Sequence, residues 1–164
     1  MCDSNEEVSC WNEAIFWRGL YLQRHSGVEF ALTHLLAEAR NHLAYQEFGD
    51  LPFSFNKKLK RLKEISSADG PVKQYAVAIK GLLEKIECRD EERNFIVHGI
   101  LNVKINDEGN RVIRLSMYNH KKRDLYAGRW EVKFGDKHLI LEDIKTISDE
   151  FLPLSLSAIK SLEG

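Results

Sequence analysis

Apolar residues in the first part of the chain recur at spacings of three, four or seven. Ala14, Trp17, Tyr21, Val28, Leu32, Leu35, Ala39 and Leu43 form one stripe, which predicts a long amphipathic helix over residues 11–47. Gly19 and Gly27 weaken it, each by up to about 1 kcal/mol relative to alanine, and a bend or break is expected near Ser26-Gly27. Gly49-Asp50-Leu51-Pro52 has the composition of a turn. Ser54 is the expected N-cap of a second helix, 55–65, burying Phe55, Leu59, Leu62 and Ile65. After a loop at 66–70, Pro71 suits the first turn of a third helix, whose stripe is Val72, Tyr75, Ala76, Ile79, Leu82, Leu83 and Ile86. Beyond it, either Asp90 caps a short fourth helix ending near His98, or the third helix continues; Gly99 is the stop signal in both cases.

After Gly99 the period changes to two. Leu101, Val103 and Ile105, then Ile113, Leu115 and Met117, then Trp130, Val132 and Phe134 alternate with polar residues and predict three strands with one buried face. Asn106-Asp107-Glu108-Gly109-Asn110 is hairpin chemistry, and 119–128 is expected to be a longer loop. A helical period returns with Ile140, Ile144, Ile147, Phe151 and Leu154, with Leu162 further on, and Pro153 is expected to bend or interrupt that helix. The expected class is therefore mostly α with a small β part. A helical bundle (11–99) is followed by three antiparallel strands (100–138) and a C-terminal helix (140–162), in a single domain over 1–164.

The 164 residues are 43% hydrophobic and 30% charged, which suits a globular protein with a real core. The net charge of -1 means that binding to a polyanion would need a local basic patch. Cys2, Cys10 and Cys88 form no CxxC pair, and their odd number argues against a disulfide framework. The start, with Asp3, Glu6 and Glu7 and no base, does not resemble a secretory signal. No uncharged apolar run approaches the ~20 residues that span a bilayer. A cytoplasmic protein with no membrane association is expected. No GxxxxGK[ST], GxGxxG after a strand or GxSxG is present, which disfavours P-loop hydrolysis, dinucleotide binding and α/β-hydrolase chemistry. His25, His34 and His42 are too widely spaced for a zinc site on one helix, so neither metal nor cofactor is expected. Glu38 and His42, four apart, are read as a surface contact, Cys88 as a small packed hydrophobe, and Trp11, Phe16, Trp17 and Tyr21 as core or dimer-seam residues.

The stretch with the most chemistry is Asp90-Glu91-Glu92-Arg93-Asn94-Phe95-Ile96-Val97-His98-Gly99. Arginine can hold a phosphate bidentately, histidine can take or give a proton near neutral pH, and asparagine can orient either. Asn94 and His98 share a helical face, whereas Arg93 and His98 lie about 140° apart on an ideal helix. The two would meet only at a frayed helix end or across a dimer seam. Arg18 with His25 and Arg114 with His120 have similar spacing. Only Arg93 is followed by Asn, an apolar filler, the His and a terminal Gly. The plainer reading is that Arg93 pairs with Glu92 or another carboxylate, and that His98 interacts with the last carbonyls of its helix.

In these residues 11–99 resemble the HEPN superfamily, helical-bundle proteins with an Arg-x(4–6)-His motif, matched by Arg93, Asn94 and His98. The resemblance implies a bundle of about four helices that forms a homodimer across the motif helix. It also implies metal-independent RNA cleavage, as in a toxin or defence effector with an antitoxin or other partner protein. His98 would be general base or acid, Arg93 would stabilise charge on the phosphorane-like transition state, and Asn94 would orient His98 or the phosphate. The alternative is a non-catalytic HEPN-like dimerisation or interaction domain. Lys57, Lys58, Lys60, Arg61 and Lys63 lie on one helix with no acid among them and are the candidate RNA-binding residues. An anionic membrane surface and a solvated helix face are the other readings of the same run. Asn119-His120-Lys121-Lys122-Arg123 is a second basic segment.

Overall fold

A computed structural model describes residues 4–119 and 124–163. Its helices are α1 (Ser4–Asn41), α2 (Phe55–Ser67), α3 (Ala76–Glu87), α4 (Asp90–His98) and α5 (Lys137–Leu162), with short 3₁₀ turns at Leu43–Phe48 and Pro71–Tyr75. Between α4 and α5 come β1 (Ile100–Ile105), β2 (Arg111–Asn119) and β3 (Asp124–Lys133), an antiparallel sheet in the order β1-β2-β3. The chain is thus mostly α, with a three-stranded antiparallel sheet and a closing helix. It packs as two compact units. One contains the chain up to Gln23 with Arg89–Ile144, and the other contains Arg24–Cys88 and the chain from Lys145 onward.

In the first unit the strand register stacks Leu101, Leu115 and Trp130 across the sheet, and Val103, Ile113 and Val132 beside them. Phe95 and Ile96 of α4, Ala14, Trp17 and Tyr21 of α1, and Ile144 of α5 complete this core. Phe95 packs closely against Gly128, where an added Cβ would stand 3.0 Å from the ring. The Trp17 indole donates to the Lys137 carbonyl at 2.8 Å, and the Lys137 ammonium pairs with Glu13 at 2.6 Å, which ties the start of α5 to α1. Ile105, expected on the buried face, is exposed at the end of the edge strand.

In the second unit four helical segments surround a core that includes Val28, Leu32, Leu35, Leu62, Ile79, Leu83, Phe151 and Ala158. The first helix ends at Asn41, not near 47. The His42 imidazole accepts from the Ala44 amide at 3.2 Å and starts a 3₁₀ turn that points Tyr45 inward. The Tyr45 hydroxyl then accepts from the Val72 amide at 2.8 Å, and Leu43, placed on the stripe by its spacing, is exposed. No break occurs at Gly27, because the helix is held by packing on both sides of it. Ser66 and Ser67 extend α2 rather than ending it, with both hydroxyls donating back to the Lys63 carbonyl.

Other expectations are also corrected. Of the loop expected over 119–128, Asn119 belongs to β2 and residues 124–128 belong to β3, with Asn119 paired to Asp124 beyond a bulge after Met117. The basic residues His120, Lys121, Lys122 and Arg123 lie outside the described residues. Pro153 sits inside α5 without interrupting it. Glu38 pairs with His34 at 3.6 Å rather than with His42. Cys88 is exposed rather than packed, and Phe16 is exposed rather than part of the core. Among the described residues no helix is long and apolar enough to cross a membrane.

Candidate functional site

The motif lies on α4, a separate helix from α3. Its first turn carries Asp90, Glu91 and Glu92, which suits the positive end of the helix dipole. Arg89 precedes it and holds both Glu92 oxygens at 3.0 Å while also pairing with Asp143, so part of the acidic crowding around the motif is neutralised. Phe95 and Ile96 bury one side of the helix in the first unit's core. That burial orients the remaining side chains.

Arg93 is buried. Its Nε and Nη2 donate to one Asp90 oxygen at 3.1 and 2.9 Å, and Nη2 also donates to the Asn94 side-chain oxygen at 2.7 Å. The Asn94 amide nitrogen reaches the other Asp90 oxygen at 3.4 Å, so both ends of the amide are used in one orientation. Tyr21 of α1 is buried beside this group. Its burial pushes the phenol above its ordinary pKa, and the Arg93 charge opposes that shift. The structure thus brings together Arg93, Asn94, Asp90 and Tyr21. The carboxylate that pairs with Arg93 is Asp90, not Glu92.

His98 is placed differently. It is the last residue of α4 and is exposed, while Arg93 one and a half turns earlier faces inward. Gly99 closes the helix by donating to the Phe95 carbonyl at 2.8 Å, so α4 keeps its winding through His98. Frayed-end convergence of Arg93 and His98 therefore does not occur in this chain. Among the described residues the His98 side chain makes no hydrogen bond or ion pair.

The basic helix face separates into two sets. Lys57, Lys60 and Lys63 are exposed on one side of α2. Lys58 is buried and pairs with Glu29 at 3.0 Å. Arg61 donates to the Phe48 and Asp50 carbonyls and pairs with Glu64 at 3.1 Å, which holds the 48–50 turn on α2.

One residue passed over by the sequence reading is Arg18. Its Nη2 donates to the Val97 carbonyl at 3.0 Å, which places its guanidinium at the end of α4 that carries His98. Its spacing to His25 was visible in the sequence, but its structural neighbour comes from a distant segment that no local pattern links to it. Comparisons of the chain with protein-family models, with curated proteins and with solved structures gave no match.

Proposed function

We propose that this chain is a metal-independent endoribonuclease of HEPN type, working as a homodimer in the cytoplasm. Its biological role would be that of a toxin or defence effector controlled by an antitoxin or other partner protein. The motif of Arg93, Asn94 and His98 motivates the reading. The observation that carries it is His98 itself: an imidazole presented to solvent, with no partner among the described residues, at the end of a helix anchored by a buried polar cluster. A general base needs that access to a ribose 2′-hydroxyl. His98 takes the 2′ proton as the 2′-oxygen attacks phosphorus, and a second His98 across the dimer protonates the leaving 5′-oxygen. The products are a 2′,3′-cyclic phosphate and a 5′-hydroxyl. Arg93 acts on the transition state if phosphate displaces Asp90 from its guanidinium; otherwise it and Asn94 hold α4 in place.

The buried, charge-compensated state of Arg93 favours a second reading, a non-catalytic HEPN-like domain for dimerisation or partner docking. Incubation with mixed RNA in excess EDTA separates the two. Under the first reading the wild-type protein cleaves and leaves cyclic-phosphate ends, while His98→Ala loses about 10²–10⁴-fold in rate with its fold intact. Absence of cleavage by a folded wild-type dimer, with a control nuclease active in parallel, moves the assignment to the second reading.

A further inference from the structure

Arg18 is held at one end only. Its Nη2 is bonded to Val97, its Nε is shielded from solvent with no acceptor, and its Nη1 makes no hydrogen bond among the described residues. No carboxylate pairs with it there, whereas Arg24, Arg40, Arg61, Arg89, Arg93 and Arg111 each have one. A shielded donor without an acceptor is destabilising, so a charge left in this state marks a place where an anion is favoured. The one bond that Arg18 makes also fixes its position. The carbonyl it holds belongs to the residue immediately before His98, so an uncompensated guanidinium and an unpaired imidazole sit at the same helix end.

Arg18 also satisfies one of the free carbonyls at the C-terminus of α4, and a cation there is favourable for that reason alone. Capping uses one donor, however, and explains neither the missing carboxylate nor the unused nitrogens.

We infer that Arg18 and His98 form a phosphodiester-binding site for single-stranded RNA, in which Arg18, rather than Arg93, holds the reacting phosphate. This rests on the ribonuclease reading and names the arginine that serves it. The guanidinium takes the non-bridging oxygens, on which negative charge grows as the O2′–P bond forms and the P–O5′ bond breaks. His98 receives the 2′ proton, and the departing 5′-oxygen takes up a proton from the second His98 or from solvent, so the proton count balances. Arg93 remains in its pair with Asp90, anchoring α4 so that the two groups stay in register.

The test uses a 2′-O-methyl oligonucleotide, which presents phosphodiesters but cannot be cleaved, and follows the His98 imidazole by proton–nitrogen NMR in the intact protein. Wild type, Arg18→Gln and Arg18→Lys are compared; glutamine removes the charge and lysine keeps it. A saturable His98 response in the wild type is expected, with binding weakened about tenfold or more by Arg18→Gln and largely retained by Arg18→Lys. Thermal melts confirm that each variant is folded. An equal His98 response in wild type and Arg18→Gln, or none in the wild type, overturns the inference. Cleavage of ordinary RNA is measured alongside. Cleavage that is unaffected by Arg18→Gln overturns the inference and leaves the ribonuclease reading standing. An Arg18-dependent His98 response without cleavage supports the site and overturns the ribonuclease reading.

Discussion

Arg93 keeps its buried position because Asp90 takes its charge three residues earlier and Asn94 fills a further donor. A guanidinium left buried without its carboxylate is costly, whereas replacing both charges with apolar groups of similar size often costs little. Asp90 is one-third exposed, so its removal costs less than the ~3–5 kcal/mol of a fully buried pair. Asp90→Ala is expected to destabilise the fold by about 2 kcal/mol, and adding Arg93→Met is expected to recover part of that loss. Urea unfolding of the two single variants and the double variant checks this, and additive losses would show that the pair is not coupled. His98 has no comparable constraint, so His98→Ala is expected to leave stability nearly unchanged, in contrast to its effect on cleavage.

At the scale of the element, α2 shows why a charge run is not one object. An amphipathic helix turns only part of its circumference to solvent, so consecutive basic residues fall on different sides. Lys57, Lys60 and Lys63 face outward, while Lys58 lays its stem along the core and Arg61 bonds the preceding turn. If this face binds RNA, replacing the three exposed lysines with glutamine should reduce the slope of log binding constant against log salt by about 2, at roughly 0.7 per phosphate contact on a single strand. Thermal stability should hardly change. Lys58→Ala should do the reverse, lowering stability by about 1–2 kcal/mol through the loss of a half-buried pair and its packing. An unchanged salt slope in the triple variant would remove this face from the proposal. In α5, Pro153 has no amide to donate, yet packing on both sides of it keeps the helix continuous.

For the whole molecule, proton linkage adds the contributions of buried groups wherever they lie. Burial raises the phenols of Tyr21 and Tyr45 above the value of 10.0 expected for a free tyrosine. The folded state therefore holds two protons that the unfolded chain releases from about pH 10 upward. The stability that these groups contribute is intact below that pH and falls as pH rises toward the folded-state values. Urea unfolding between pH 8 and pH 11 should show a steepening loss above pH 10, and Tyr21→Phe should make that loss shallower. Its intrinsic stability at pH 8 can differ, so the comparison is between slopes. Identical alkaline slopes for the variant and the wild type would contradict the role given to Tyr21.

The fold class is legible in the chain's own pattern. The change from a three-to-four spacing to strict alternation at Gly99, and back again at Ile140, is a local property that burial on one face imposes on any helix or strand. It also singled out α4, since the Arg, Asn and His occur in one short segment. Element ends were less legible. Tyr45 turns inward because Val72 supplies a donor to its hydroxyl from another part of the chain, so the first helix stops six residues earlier than its stripe suggests. Residues 124–128, expected in a loop, belong to β3 for the same reason, since the partner strand β2 lies beside them in the sheet. Which charges are already neutralised depends on packing. Asp90 neutralises Arg93, Glu29 neutralises Lys58, and Arg18 reaches the end of α4 with no carboxylate paired to it among the described residues. Side-chain identity sets what a group can bond; whether a partner stands within reach depends on packing between segments distant in the sequence.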